Sequence, residues 1–150
     1  MRAHILTFLL CLFLVGCSDV VTSHYKTYND AASDQLFARG WLPDFIPSSS
    51  LNITTSNNLD LNTSEGDFSF RPVDTQAFVS KLNPYSGRKS PYVEYDKVVK
   101  KRIGQGYTPY EYTKDNLIWV FLLNGDKGHA YYYLWMERKG SQQGAGADRG

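Results

Sequence analysis

Cysteine is nearly missing from this chain: the 150 residues hold two, Cys11 and Cys17, and none follows position 17. The remainder therefore closes no disulfide of its own and offers no thiolate to a metal, so its fold must stand on its core alone. Histidine is sparse too, with His4 in the leader and only His24 and His129 beyond it. Two histidines so far apart make no metal-ligand cluster, and neither a metal nor another cofactor is expected. Charge of either sign is not in excess. A formal net charge of +1 gives no basic field to attract nucleic acid. The apolar run Ile5–Val15, broken only by Thr7 and Cys11, is short of the roughly 20 residues that a bilayer-spanning helix needs.

What that run does have is the length and flanks of a signal peptide, with Met1-Arg2 as the positive start. It ends in Leu14-Val15-Gly16-Cys17, which resembles a bacterial lipobox. The resemblance implies that the Cys17 thiol takes a diacylglyceryl group, that a lipoprotein signal peptidase cuts between Gly16 and Cys17, and that the new amino group receives a palmitate-type chain. The residue types suit that chemistry. Thiolate is a good nucleophile, and Gly16 leaves the scissile bond open. Each buried methylene contributes about 0.8 kcal/mol, so several chains hold far more firmly than one. The membrane, reached through Cys17, is thus the first expected partner. Ser18 stands where Asp would be the usual inner-membrane retention signal, which favours the outer membrane, facing the periplasm. Removal of the leader takes away only one charge, Arg2, and leaves 15 basic against 15 acidic residues.

The expected organisation is a signal peptide over 1–16, a polar tether over 17–27, one domain over 28–139 and a Gly/Gln/Ala-rich disordered tail over 140–150. Asn29 caps a helix running over Asp30–Arg39, with Gly40 as its stop. Pro43 and Pro47 forbid regular structure between them, so Trp41, Leu42, Phe45 and Ile46 plug an edge of the core from an extended loop. Leu51–Thr55 is a short strand and Asn57-Asn58 a turn. Asp67–Arg71 alternates cleanly and sends Phe68 and Phe70 inward. Asp74 caps a helix over Thr75–Leu82. Between Tyr85 and Gly106 two readings stay open: a strand at Tyr92–Tyr95, or a helix at Tyr95–Ile103. Pro109 marks Gly106–Tyr112 as an edge strand. Leu117–Leu123, the turn Asn124–Gly128 and the return His129–Glu137 form a hairpin. The fold class is α+β: an antiparallel sheet of about four to six strands packed on two short helices, with a C-terminal aromatic hairpin.

The run Gly40-Trp41-Leu42-Pro43, then Phe45-Ile46-Pro47-Ser48-Ser49, then Asn58-Leu59-Asp60-Leu61-Asn62, resembles a group of small bacterial lipoproteins. These share a GWLP…P segment followed by a DLDTN-like one. Leu61 stands here in place of the usual Thr. The Tyr/Trp-rich last strand, Tyr131 to Trp135, is similar as well. The resemblance implies a single lipoprotein domain and brings no activity with it.

The terminal hairpin is apolar on both faces, so either both are covered or one binds something. Tyrosine suits a half-wet surface, which makes Tyr131, Tyr133 and Trp135 the candidate binding residues. The alternative is cover supplied by loops such as Trp41–Ile46. Other candidates are weaker. Asn58, Asp60, Asn62 and Ser64 put oxygens at alternate positions, but a calcium loop would have Gly where Thr63 stands. Glu94 and Asp96 would need a cleft to act as acid and base. Gly104-Gln105-Gly106 follows no clear strand, Ser48–Ser50 lacks a nucleophile elbow, and the cluster Lys97, Lys100, Lys101, Arg102 reads as a solvated face. The expected function is a non-enzymatic, lipid-anchored envelope protein that binds a protein or glycan partner through an aromatic surface. No catalytic residue is assigned. The alternatives are an envelope hydrolase built on Asp60, Glu94 or His129, and an inhibitor or immunity-type lipoprotein.

Overall fold

The computed structural model describes residues 19–137. The expected leader over 1–16, Gly16 and Cys17 as its expected cleavage and lipidation site, and the expected tail over 140–150 lie outside the described residues. The fold is α+β. Seven strands, β1 (Val20–Thr27), β2 (Leu51–Asn58), β3 (Thr63–Ser69), β4 (Asn83–Pro84), β5 (Thr108–Lys114), β6 (Leu117–Asn124) and β7 (His129–Met136), form one sheet in the order β1-β2-β3-β7-β6-β5-β4. Every pair is antiparallel. The helices are α1 (Tyr28–Ser33), α2 (Thr75–Val79) and α3 (Tyr95–Gly104), with a 3₁₀ turn at Pro72–Asp74 before α2.

The expected tether is corrected over most of its length, because Val20–Thr27 is an edge strand paired with β2. Its composition hides this: Tyr25 is its one buried side chain. The backbone edge that β2 offers supplies the rest of the stabilisation, and the β-branched Val20, Val21, Thr22 and Thr27 suit a pleated strand. The first helix is also corrected. Thr27 caps it, not Asn29, through a reciprocal pair: Asp30 N–H donates to Thr27 Oγ1 at 3.2 Å, and the Asp30 carboxylate accepts from Thr27 N–H at 3.0 Å. The helix ends at Ser33, and Gln35 at φ +59° turns the chain back, which drops Leu36 into the core.

One face of the sheet carries Tyr25, Ile53, Phe68, Trp119, Phe121 and Tyr132, under α1, the 34–50 loop and α2. Leu42 and Ile46 are buried there, with Trp41 and Phe45 half-buried against them, as the loop around Pro43 and Pro47 predicts. Phe78 of α2 meets Phe68, Phe70 and Phe121 at centroid distances of 6.0, 5.9 and 5.3 Å. Such pairs each contribute about 0.5–1.5 kcal/mol beyond area burial.

The opposite face has its own core: Ile118, Val120, Leu122 and Trp135 under Tyr95, Val99 and Tyr107. Of the two readings left open around Tyr95, the helix is the one adopted. Tyr95 and Val99, four apart, are its buried stripe, Asp96 sits in its first turn and Lys101 and Arg102 in its last. The hairpin is therefore covered twice, by three helices where two were expected.

Gly66 of β3 has no room for a side chain against β2. A Cβ there would run into the Thr54 carbonyl and reach the Tyr132 ring at 3.0 Å. Gly66→Ala should cost at least about 2 kcal/mol in urea unfolding. Gly104→Ala, with open space around it at the end of α3, should leave stability unchanged or raise it by up to about 1 kcal/mol.

Candidate functional site

The second face of the sheet is covered on one half and open on the other. Helix α3 packs on β5 and β6, and Tyr92 and Tyr95 stand over β7. Past β7, the register across β3, β2 and β1 lays out a polar shelf in rungs. One rung runs Tyr133, Glu65, Ser56, Thr22; the next runs Tyr131, Asp67, Thr54, His24; Asn58 and Thr63 continue them. Thr22, His24 and Glu65 are exposed, and Thr54, Ser56, Asn58, Thr63 and Asp67 are half-buried. His24 Nδ1 lies 3.2 Å from Thr54 Oγ1, which confirms that neighbouring rung members share the face.

The three rings singled out from sequence line the inner border of this shelf, but not equally. Trp135 is 3% exposed; it lies under Tyr92 and Tyr95 at 6.4 and 5.6 Å and is core, which corrects its place in a binding surface. Tyr133 is half-buried, edge-on to Tyr92 and Tyr95, each at 5.3 Å. Burial raises its hydroxyl pKa, and the nearby Glu65 adds to the rise. Tyr131 is half-buried too, with the Arg102 guanidinium 3.7 Å above its ring, a cation–π contact. Sequence reasoning missed the acceptors Glu65 and Asp67 as partners of these tyrosines. Strand alternation within 63–69 was the available signal, but the pairing of β3 with β7 is not readable from either strand alone.

At the far end of the shelf, His129 has both ring nitrogens engaged. Nε2 is 3.1 Å from Asp67 Oδ2 and Nδ1 is 3.1 Å from the Tyr107 hydroxyl. A neutral ring protonated on Nε2 satisfies both, donating to Asp67 and accepting from Tyr107.

The other sequence candidates do not converge. Asp60 lies beside Asp19, whose hydrogen bond and charge raise its pKa. Glu94 pairs with Lys97. Asn58 Oδ1 accepts from Leu61 N–H at 3.0 Å, and Ser64 is buried against Asn57 and Tyr132, so the oxygens of that turn serve the fold. Among the described residues no group of three or more His, Cys, Asp or Glu is placed to hold a metal ion.

A buried carboxylate fastens the strap 85–92 that covers this face. Glu111 of β5 accepts from Ser86 N–H at 3.1 Å, Ser86 O–H at 2.8 Å and Arg88 Nε at 3.3 Å, while Arg88 also reaches Glu137 at 2.8 Å. Burial is the largest single influence on Glu111 and opposes ionisation, but the Ser86 and Arg88 donors together outweigh it and hold the carboxyl below its usual range.

Residues 19–69 match the family model for the YbbD head domain, a match consistent with an envelope-type protein. It runs from the residue before β1 to the end of β3, so it takes in α1, the proline loop and all the shelf strands except β7. No curated protein matches the chain. No solved structure matches it either.

Because the folded pKa of Glu111 lies below its ordinary value, its contribution to stability is complete above that ordinary value and is lost as pH falls through the lower, folded one. Glu111→Gln should cost about 1–3 kcal/mol at neutral pH. The gap in Tm between wild type and variant should close on acidification, as followed by thermal unfolding across a pH series.

Proposed function

We propose that this protein is a lipid-anchored component of the bacterial envelope that binds a hydroxyl-rich glycan without chemically changing it. The anchor is Cys17, acylated after cleavage behind Gly16, and the location is the outer membrane on its periplasmic side. The observation that supports glycan binding is the open polar shelf ending at Tyr133. Hydroxyls of Thr22, Ser56, Thr54 and Thr63 donate or accept, the carboxylates of Glu65 and Asp67 accept, and a tyrosine edge offers apolar contact to a sugar ring.

The shelf presents no large apolar side chain at its centre, whereas a protein partner would typically be anchored by a buried aromatic or aliphatic side chain in a pocket. The hydrolase alternative loses its premise, since Asp60, Glu94 and His129 lie apart. The YbbD head domain match, which contains β1, β2 and β3, supports an envelope setting for these strands.

The test is titration of the folded protein with soluble peptidoglycan fragments, followed by amide NMR. Perturbations should gather at Thr22, Ser56, Glu65 and Tyr133. Glu65→Gln and Tyr133→Ala should each weaken binding about tenfold or more, equal to 1.4 kcal/mol. Unperturbed shelf amides at saturating glycan would rule the reading out. Circular dichroism of each variant guards against loss of fold.

A further inference from the structure

We propose that the domain does not hang from its lipid but rests on the bilayer through one pole, formed by the start of β1 and the turn Leu59–Asn62. The inference depends on acylation of Cys17 and adds an orientation to it. Leu59 and Leu61 are 51% and 64% exposed, and Val20 and Val21 are 42% and 48% exposed. The segments that carry them are joined at one end of the sheet: Val20 pairs with Asn58, and Leu59 N–H donates to the Asp19 carbonyl at 3.0 Å, with Val20 and Val21 flanking the two faces of β1. Exposed Met136 closes β7 at the same end of the sheet, since Ser64 of β3 pairs with Leu134.

Covalent reach makes the bilayer the occupant. Cys17 and Asp19 are two residues apart, so their Cα atoms are within about 7 Å of each other. Asp19 is already bonded to the leucine turn. The headgroup layer on each side of a bilayer is about 5–7 Å deep, so acyl chains on Cys17 bring Leu59 and Leu61 to the membrane surface with no slack to hold them away. Charge at this pole is mixed. Asp19 and Asp60 lie side by side at the turn, while Arg39, paired with Asp34, and Asp115 line the neighbouring cleft, so the contact is carried by apolar insertion rather than by attraction to anionic lipid. The strands then rise from the membrane, with the Asn58 and Thr63 rung of the shelf at its surface and the Thr22 and His24 rungs beyond it.

No thiol other than Cys17 remains after the leader, which makes a clean experiment possible. Leu61→Cys and, at the opposite pole, Val73→Cys (Val73 is 79% exposed) are each expressed with the full chain, purified in lipidated form, labelled with an environment-sensitive dye and reconstituted into phosphatidylethanolamine vesicles. Doxyl-labelled lipid should quench the dye at position 61 at least twofold and leave the dye at 73 unchanged. If vesicles float with the protein but both dyes stay equally unquenched, the anchor stands and the docking is refuted. If mass spectrometry of the same preparation finds no acyl chain on Cys17, the anchor fails and the docking with it.

Discussion

Strands β6 and β7 are apolar on both faces, and the structure is built to satisfy both. A strand with water on one side can leave that side polar; one with Val120 and Leu122 on one face and Phe121 and Trp119 on the other has no wet side to offer. Two separate cores result, one under α1, the 34–50 loop and α2, the other under α3 and the strap. Neither suffices alone, since exposing either face would cost roughly 1.5–3 kcal/mol for each large side chain returned to water.

The cover has unequal extent. On the first face it reaches from Tyr25 of β1 to Tyr110 and Tyr112 of β5; on the second it ends at β7, past which only the Tyr92 hydroxyl reaches, to the Ser64 carbonyl of β3 at 2.7 Å. The polar shelf exists because α3 is ten residues long and shields only the neighbouring strands. The side chains beyond it match this: Thr, Ser, His, Glu and Asp occupy the uncovered rungs of β1, β2 and β3. The division coincides with the family match, whose residues 19–69 end with β3. The head-domain-like portion thus supplies a half-covered three-strand ribbon, and the rest of the chain supplies the double-faced hairpin on which it leans.

Much of the fold was legible in local pattern. Phe68 and Phe70 alternate inward and the Asn124–Gly128 turn closes the hairpin. These are signals carried by neighbouring residues. The edge strand read from Pro109 is corrected, because β4 pairs with β5 at Tyr110 and Glu111 and leaves β5 one strand in from the edge. What failed was weak in the same terms. The strand Val20–Thr27 is polar enough to read as a tether, because an edge strand with one buried ring leaves little trace in hydropathy. The cap of α1 moved by two residues because Thr27 and Asp30 form a reciprocal pair that Asn29 cannot match.

The sequence by itself determined the α+β class, the double-faced hairpin and the plugging proline loop, since each rests on residue types within a few positions of one another. Tertiary structure decided which aromatic rings are core and which are rim, that α3 rather than a strand covers the second face, and that Glu65 and Asp67 stand beside Tyr133 and Tyr131. The last of these depends on the pairing of β3 with β7, sixty or more residues apart. The register of such a pair follows from the packing of the whole sheet, not from any local stretch of the chain.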